Sequence, residues 1–216
     1  MVDQAATTTE PRSLSRTPHP LRVAVLALCL GLFALAYLRG TWADRSAHDP
    51  QRPEDGVTCR LVVDEKGDRA IRTAVVVPVS EPAAWKVLSD YNEWERLFKT
   101  VRRNKVAEQL DEYHHHVVSE VMTPLGTVSL DFIVTHQSTE DGGHLAWWDA
   151  PTRQLPVNRG TIRTTPLAAD RTLLVYTVVK QWRIYPAFFV NNMLLNQQPD
   201  LVATLSKRIV EAASSK

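Results

Sequence analysis

Apolar and polar positions along the chain change their spacing several times, and each change marks an element. Residues 1–21 hold Thr7, Thr8, Thr9, Pro11, Ser13, Ser15, Thr17, Pro18 and Pro20 with almost no large apolar side chain. Such a segment buries too little surface to offset the entropy of ordering, so a disordered tail is expected. Val23 to Leu38 then runs sixteen residues without a charge or a proline, between Arg22 and Arg39. As a helix it would be about 24 Å long, against a hydrocarbon core of roughly 30 Å. Tyr37 and Trp42 at one interface and snorkelling arginines make up the difference, so 22–39 is expected to be a transmembrane helix. A cleaved signal peptide, with Thr41-Trp42-Ala43 before the cut, and a buried core helix are the alternatives. Residues 40–56, with Pro50 and Pro53, read as a linker.

From Val57 onward the pattern is that of a folded domain, 57–216. Cys59–Val63 and Arg69–Val79 are β-rich runs around Glu65-Lys66-Gly67-Asp68, which predicts a hairpin. Ser80 can cap a helix with Pro82 in its first turn, and Ala84, Val87, Leu88 and Tyr91 follow at helical spacing. Asn92 with Glu95 reads as a capping box opening a second short helix that carries Trp94, Leu97 and Phe98.

Strand patterns follow at 101–109, 112–122, 126–137, 143–149, 159–166 and 171–183, broken by turn residues such as Asp141-Gly142-Gly143. Val128, Leu130, Phe132 and Val134 alternate with Thr127, Ser129, Asp131 and Thr135, the mark of a sheet with one wet face. Leu201, Val202, Leu205, Ile209 and Ala212 form a helical stripe, and 186–198 is helix-compatible. One long terminal helix, kinked or interrupted near Pro199, is therefore expected. The predicted fold is α+β, a curved antiparallel sheet wrapped on that helix. A mostly apolar cavity between the two is the expected by-product.

Composition changes this picture little. Twenty-five basic and 24 acidic side chains leave a net charge of +1, which argues against a nucleic-acid partner. Two cysteines, Cys29 and Cys59, exclude a disulfide scaffold. Arg12, Arg16 and Arg22 balance Arg39, Arg45 and Arg52 across the apolar run, so charge does not orient it. An early apolar run usually acts as an export signal. The expectation is accordingly a single-pass anchor through 23–38 with the domain on the exterior or periplasmic side.

The segment SEPAAWKVLSDYNEWERLFKTV, from Ser80 to Val101, resembles the two-helix region of the START/polyketide-cyclase superfamily, the helix-grip fold. Trp85, Leu88, Asp90, Tyr91 and Trp94 carry that likeness. WRIYPAFFVNNMLLNQQPDLVATLSKRIVEAA is similar to its terminal helix, through Pro186, Phe188, Phe189, Asn191, Leu201 and Leu205. The resemblance covers most of 70–213, nearest to coenzyme-Q-binding and START-like bacterial proteins. It implies a hydrophobic ligand such as a lipid or quinone between sheet and helix, and no shared catalytic set. Trp94, Phe98, Phe132, Trp148, Phe189 and Met193 are the expected contacts, with Arg163 for a polar ligand group if it faces inward. No cofactor and no catalytic residue is assigned. An aromatase/cyclase-type enzyme and a ligand-free module at the membrane are the competing readings.

Other chemistry is weaker. On a strand His114 and His116 face one way and His115 the other, so a metal would need a third ligand such as His136 or Glu120. No Gly-x-Ser-x-Gly elbow and no phosphate loop is present. Trp147-Trp148 puts one indole on each face of a strand, the outward one available to a membrane interface.

Overall fold

The computed structural model describes residues 56–123 and 125–214. The expected tail, transmembrane helix and nearly all of the linker lie outside those residues. Among the described residues no helix is long and apolar enough to cross a membrane.

Eight strands form one antiparallel sheet: β1 (Val57–Val63), β2 (Arg69–Val77), β3 (Val101–Gln109), β4 (His114–Thr123), β5 (Gly126–Ser138), β6 (His144–Asp149), β7 (Val157–Ala168) and β8 (Arg171–Gln181). Their spatial order is β1-β2-β8-β7-β6-β5-β4-β3, so the last strand pairs with the second and the hairpins run outward from there. The helices are α1 (Glu81–Leu88), a 3-10 turn at Tyr91–Glu93, α2 (Trp94–Leu97) and α3 (Ala187–Ser214). Strand positions and order match the pattern of alternation, and the sheet curves around the helices.

Period two sorts the side chains. On β5 Val128, Leu130, Phe132 and Val134 are buried while Ser129, Asp131 and Ile133 are exposed. On β8 Leu174, Tyr176 and Val178 belong to the main core, and Leu173 and Val175 form a small separate cluster with Ala74 on the opposite face. The inner face meets α3 chiefly at β2 and β1, with fewer contacts at β8, and α1 and α2 touch α3 in turn. Val190, Leu194, Val202, Leu205 and Ile209 are the buried stripe of α3. Two adjacent glycines are needed for different reasons, one for its backbone angle and one for a close approach. At Gly142 φ is +78° in the β5–β6 turn, and a Cβ on Gly143 would stand 2.0 Å from the Thr164 carbonyl oxygen.

Two local expectations are corrected. Asn92 and Glu95 do not form a capping box. The Asn92 carboxamide oxygen accepts from the Val106 amide at 3.1 Å, and the Glu95 carboxylate accepts from the Asn104 amide. Both side chains tie the short helices to β3, because that strand's backbone lies within reach where the turn's own amides do not. The terminal helix is not interrupted at Pro199 but runs through it for 28 residues. A proline in mid-helix leaves the carbonyl four residues earlier without its amide partner. That carbonyl belongs to Leu195, and the Cys59 thiol of β1 points at it from 3.9 Å. The thiol itself accepts from the Thr73 hydroxyl at 3.3 Å, and burial raises its pKa.

Candidate functional site

The inner face of the sheet has two ends. At one end β4, β5, β6 and β7 lie beneath α1. At the other the same strands, with β8, curve away from α2 and α3 and leave a cavity of about 340 Å³.

The end beneath α1 is closed. Glu81 is 2% exposed at the start of α1; its carboxylate accepts from the Thr164 hydroxyl and lies 2.9 Å from His144 Nδ1. The Trp85 indole stacks on His144 with ring centres 4.5 Å apart and meets His136 edge-on at 5.6 Å. The Tyr91 hydroxyl bonds His136 Nδ1 at 2.9 Å, and His115 lies 5.2 Å from His136. Burial lowers the pKa of His136 and His115, His136 being further lowered by the neighbouring His115. Burial also raises that of Tyr91. Period two explains the set: His115 on β4, His136 on β5 and His144 on β6 all point inward. His114 and His116 point outward, to Asp111 at 2.8 Å and Asp131 at 2.6 Å. The suggested pairing of His114 and His116 with His136 therefore fails, since the sheet lies between them. Among the described residues no group of three metal-ligating side chains comes together.

The cavity end is apolar on most of its wall. Trp94, Phe98, Phe132, Trp148 and Met193, all expected from the sequence, line it. Trp94 is fixed by its indole N–H donating to the Leu88 carbonyl at 2.9 Å. Trp148 stacks on Tyr176 at 6.0 Å and meets Trp94 edge-on at 6.3 Å. This indole lies flat across β7 because Gly160, its cross-strand partner, has no side chain. A Cβ there would be 2.4 Å from Trp148 Cζ2. Trp147 is the outward indole, 36% exposed.

Two expected contacts lie elsewhere. Phe189 stacks on Tyr185 at 5.8 Å, behind Trp182, and does not line the cavity. Arg163 is exposed on the outer face of β7 and pairs with Asp141 at 2.8 Å, so the inward role considered for it is corrected. Its odd position in β7 is opposite in phase to buried Asn158, Gly160, Ile162 and Thr164.

The polar members of the wall were not anticipated. Asn158, Tyr176, Lys180, Ser119 and Gln198 all line it. Ser119 donates to the Arg103 carbonyl at 3.3 Å, and the Asn158 amide donates to the Ala150 carbonyl at 3.1 Å. Gln198 Oε1 is buried without a hydrogen-bond partner. Lys180 stands across from Asn158, its amine pushed below the ordinary lysine range by burial alone. Burial likewise raises the pKa of Tyr176. Lys180 was legible: it is the fourth inward position in the series Leu174, Tyr176, Val178, Lys180, where an apolar residue would continue the pattern.

No protein-family model matches the sequence, and no curated protein matches it. The architecture is similar to that of several solved structures. A STAR-related lipid transfer protein fragment from Xanthomonas axonopodis aligns at TM-score 0.61 and 16% identity, over 73% of this chain and 96% of that one. Human STARD10 aligns at TM-score 0.63 and 11% identity, over 80% of this chain and 78% of its own. The di-domain ARO/CYC BexL aligns at TM-score 0.50 and 10% identity, over 66% of this chain and 46% of that one.

Proposed function

We propose that this domain, which has the START-type helix-grip fold, binds a hydrophobic small molecule such as a lipid or quinone in the cavity between sheet and terminal helix. The observation that carries the reading is the cavity of about 340 Å³, walled mainly by Trp94, Leu97, Phe98, Leu130, Phe132, Trp148 and Ile162 and bounded by α3. Its size falls at the lower end of the roughly 300–1,000 Å³ of small-molecule sites. Apolar surface moved from water to such a wall gains roughly 25 cal/mol per Å². Binding is partition, and selectivity rests on shape and a few polar groups.

Two further features support the reading. The alternative of a ligand-free interaction module at the membrane would have the wall aromatics fill the space, whereas Trp148 and Tyr176 stack along the wall and Phe132 lines it. Sequence 23–38 suits a single-pass anchor, which would hold the cavity beside the bilayer in which such ligands dissolve, with the domain on the exterior side. Binding is favoured over cyclase-type turnover because the imidazoles cluster beneath α1, away from the cavity wall. Release would involve the helix around Pro199, where Gln198 and Leu201 reach the cavity.

The test is organic extraction of the purified full chain followed by mass spectrometry. One apolar molecule per chain is expected. Protein that carries none and captures none from a lipid extract would overturn the reading.

A further inference from the structure

A lysine amine inside an apolar wall calls for a reason. Lys180 is on the inner face of β8, between Tyr176 on its own strand and Asn158 across on β7, and it lines the cavity. It makes no ion pair or hydrogen bond among the described residues, and burial is the single influence on its amine. The charged groups nearest the cavity on other elements are Lys99 after α2 and Asp200 on α3, both exposed where the cavity opens. On the helix side of the same cavity is Gln198, buried, with its carboxamide oxygen unpartnered. A carboxamide can present either an acceptor or a donor by turning over.

Two other polar clusters of the domain are satisfied from within. Arg159 is held by Asp64 at 2.5 Å and Asp68 at 2.6 Å, and Glu81 by Thr164 and His144. On the cavity wall, Lys180 and the Gln198 carboxamide oxygen have no hydrogen-bond partner among the described residues, and the Tyr176 hydroxyl beside them has none either.

Resting on the binding role proposed above, we infer that the cavity selects an amphiphile with one acidic group, a carboxylate or a phosphate, seated against Lys180 with Gln198 beside it. An anion removes the cost of burying the amine, and a charge-assisted hydrogen bond in a dry site is stronger than a neutral one. The limited volume suits a single chain or a small ring system better than a two-tailed lipid. Neutral amphiphiles with the same tail gain the tail's burial but leave the amine uncompensated.

Three probes with one bromine-tipped tail test this on the full chain: undecanoate, undecyl phosphate and undecanol. Bromine quenches tryptophan emission at close range, and Trp94, Trp148 and Trp182 line the cavity. At neutral pH at least one anion is expected to bind about tenfold more tightly than the alcohol. Which anion binds better separates a free acid from a phosphate headgroup. Lys180→Met should abolish the preference while keeping alcohol binding, and Lys180→Arg should keep most of it. If Lys180→Met does not fold, the ε-carbon NMR signal of Lys180 in the native chain decides, moving with the acid and not with the alcohol.

Equal affinity for acid and alcohol, or a preference that survives Lys180→Met, overturns this inference and leaves apolar binding standing. Failure of all three to quench overturns both.

Discussion

One face of one sheet carries two environments, and their difference shows where function resides in this molecule. Beneath α1, His115, His136, His144, Thr164 and Glu81 point inward, and each polar group with a role in that cluster has a neighbour to stack on or bond to. A few residues along the same strands, Trp148, Phe132, Asn158 and Tyr176 point inward too, but toward a cavity of about 340 Å³. There Lys180 and the Gln198 carbonyl oxygen lack partners. A buried polar group normally has a partner. The end that satisfies its polar groups is a strut, and the end that leaves them unsatisfied is the site.

The largest expected effect lies at the strut. Glu81→Leu removes the acceptor shared by buried Thr164 and half-buried His144, and leaving them without it costs about 3 kcal/mol. Chemical denaturation should show that loss while the surviving folded protein keeps its affinity for an apolar probe. A comparable loss of affinity would mean that the two ends are not separable.

Gly160→Ala comes next and strikes the site. Its methyl would press on Trp148 Cζ2 from 2.4 Å and on the Thr177 carbonyl from 2.8 Å. Overpacking of this kind costs about 1–3 kcal/mol. Here the ring must swing into the cavity, so probe affinity should fall together with a shift in tryptophan emission. Unchanged affinity would show that Trp148 does not shape the site.

Lys180→Met should act in the opposite direction. Removing a half-buried amine without a partner is expected to stabilise the ligand-free domain by about 1 kcal/mol, the usual trade between stability and a strained functional group. The folded pKa of Lys180 lies below its ordinary 10.5, so the unfolded chain binds more protons across that interval. The penalty is therefore full below the folded pKa and shrinks as pH rises from there toward 10.5. Melting curves should show the gap between variant and native protein narrowing in alkali.

The smallest effect is the acid response of the strut. Folded His136 and His115 titrate below 6.5, so their contribution is complete above that pH and is lost as pH falls through their folded values. The titratable groups that face or flank them are Glu81, His144, Tyr91, Glu112 and Asp111. A denaturation series between pH 7 and pH 5 should show native protein losing more stability than His136→Phe, which keeps only the share of His115.

Alternation makes much of this legible in the sequence. The eight strands, both short helices and the long one follow from apolar spacing and turn residues, and five of seven expected contacts line the cavity, Phe132 and Trp148 because their inward phase is written in period two, Trp94, Phe98 and Met193 from the helical side. Arg163 shows the limit of residue type without phase: its neighbours Ile162 and Thr164 are the inward positions. Phe189 failed for another reason, since helix spacing gives a stripe but not which neighbour the stripe meets. The strut was not legible, because Glu81 and His144 are 63 residues apart, and nothing local marks them as partners. The Asn92 and Glu95 side chains were captured by β3 for the same cause: tertiary contact outbid a local motif.

The most direct test of the division between strut and site is a map of nuclear Overhauser contacts from the methylenes of undecanol bound to the full chain. Contacts to Ile162, Trp148 and Leu194 are predicted, with none to His144 or Trp85. Contacts to the ring protons of His144 or Trp85, or a bound alcohol that touches only the outer face near Trp147 and Ile133, would contradict the account.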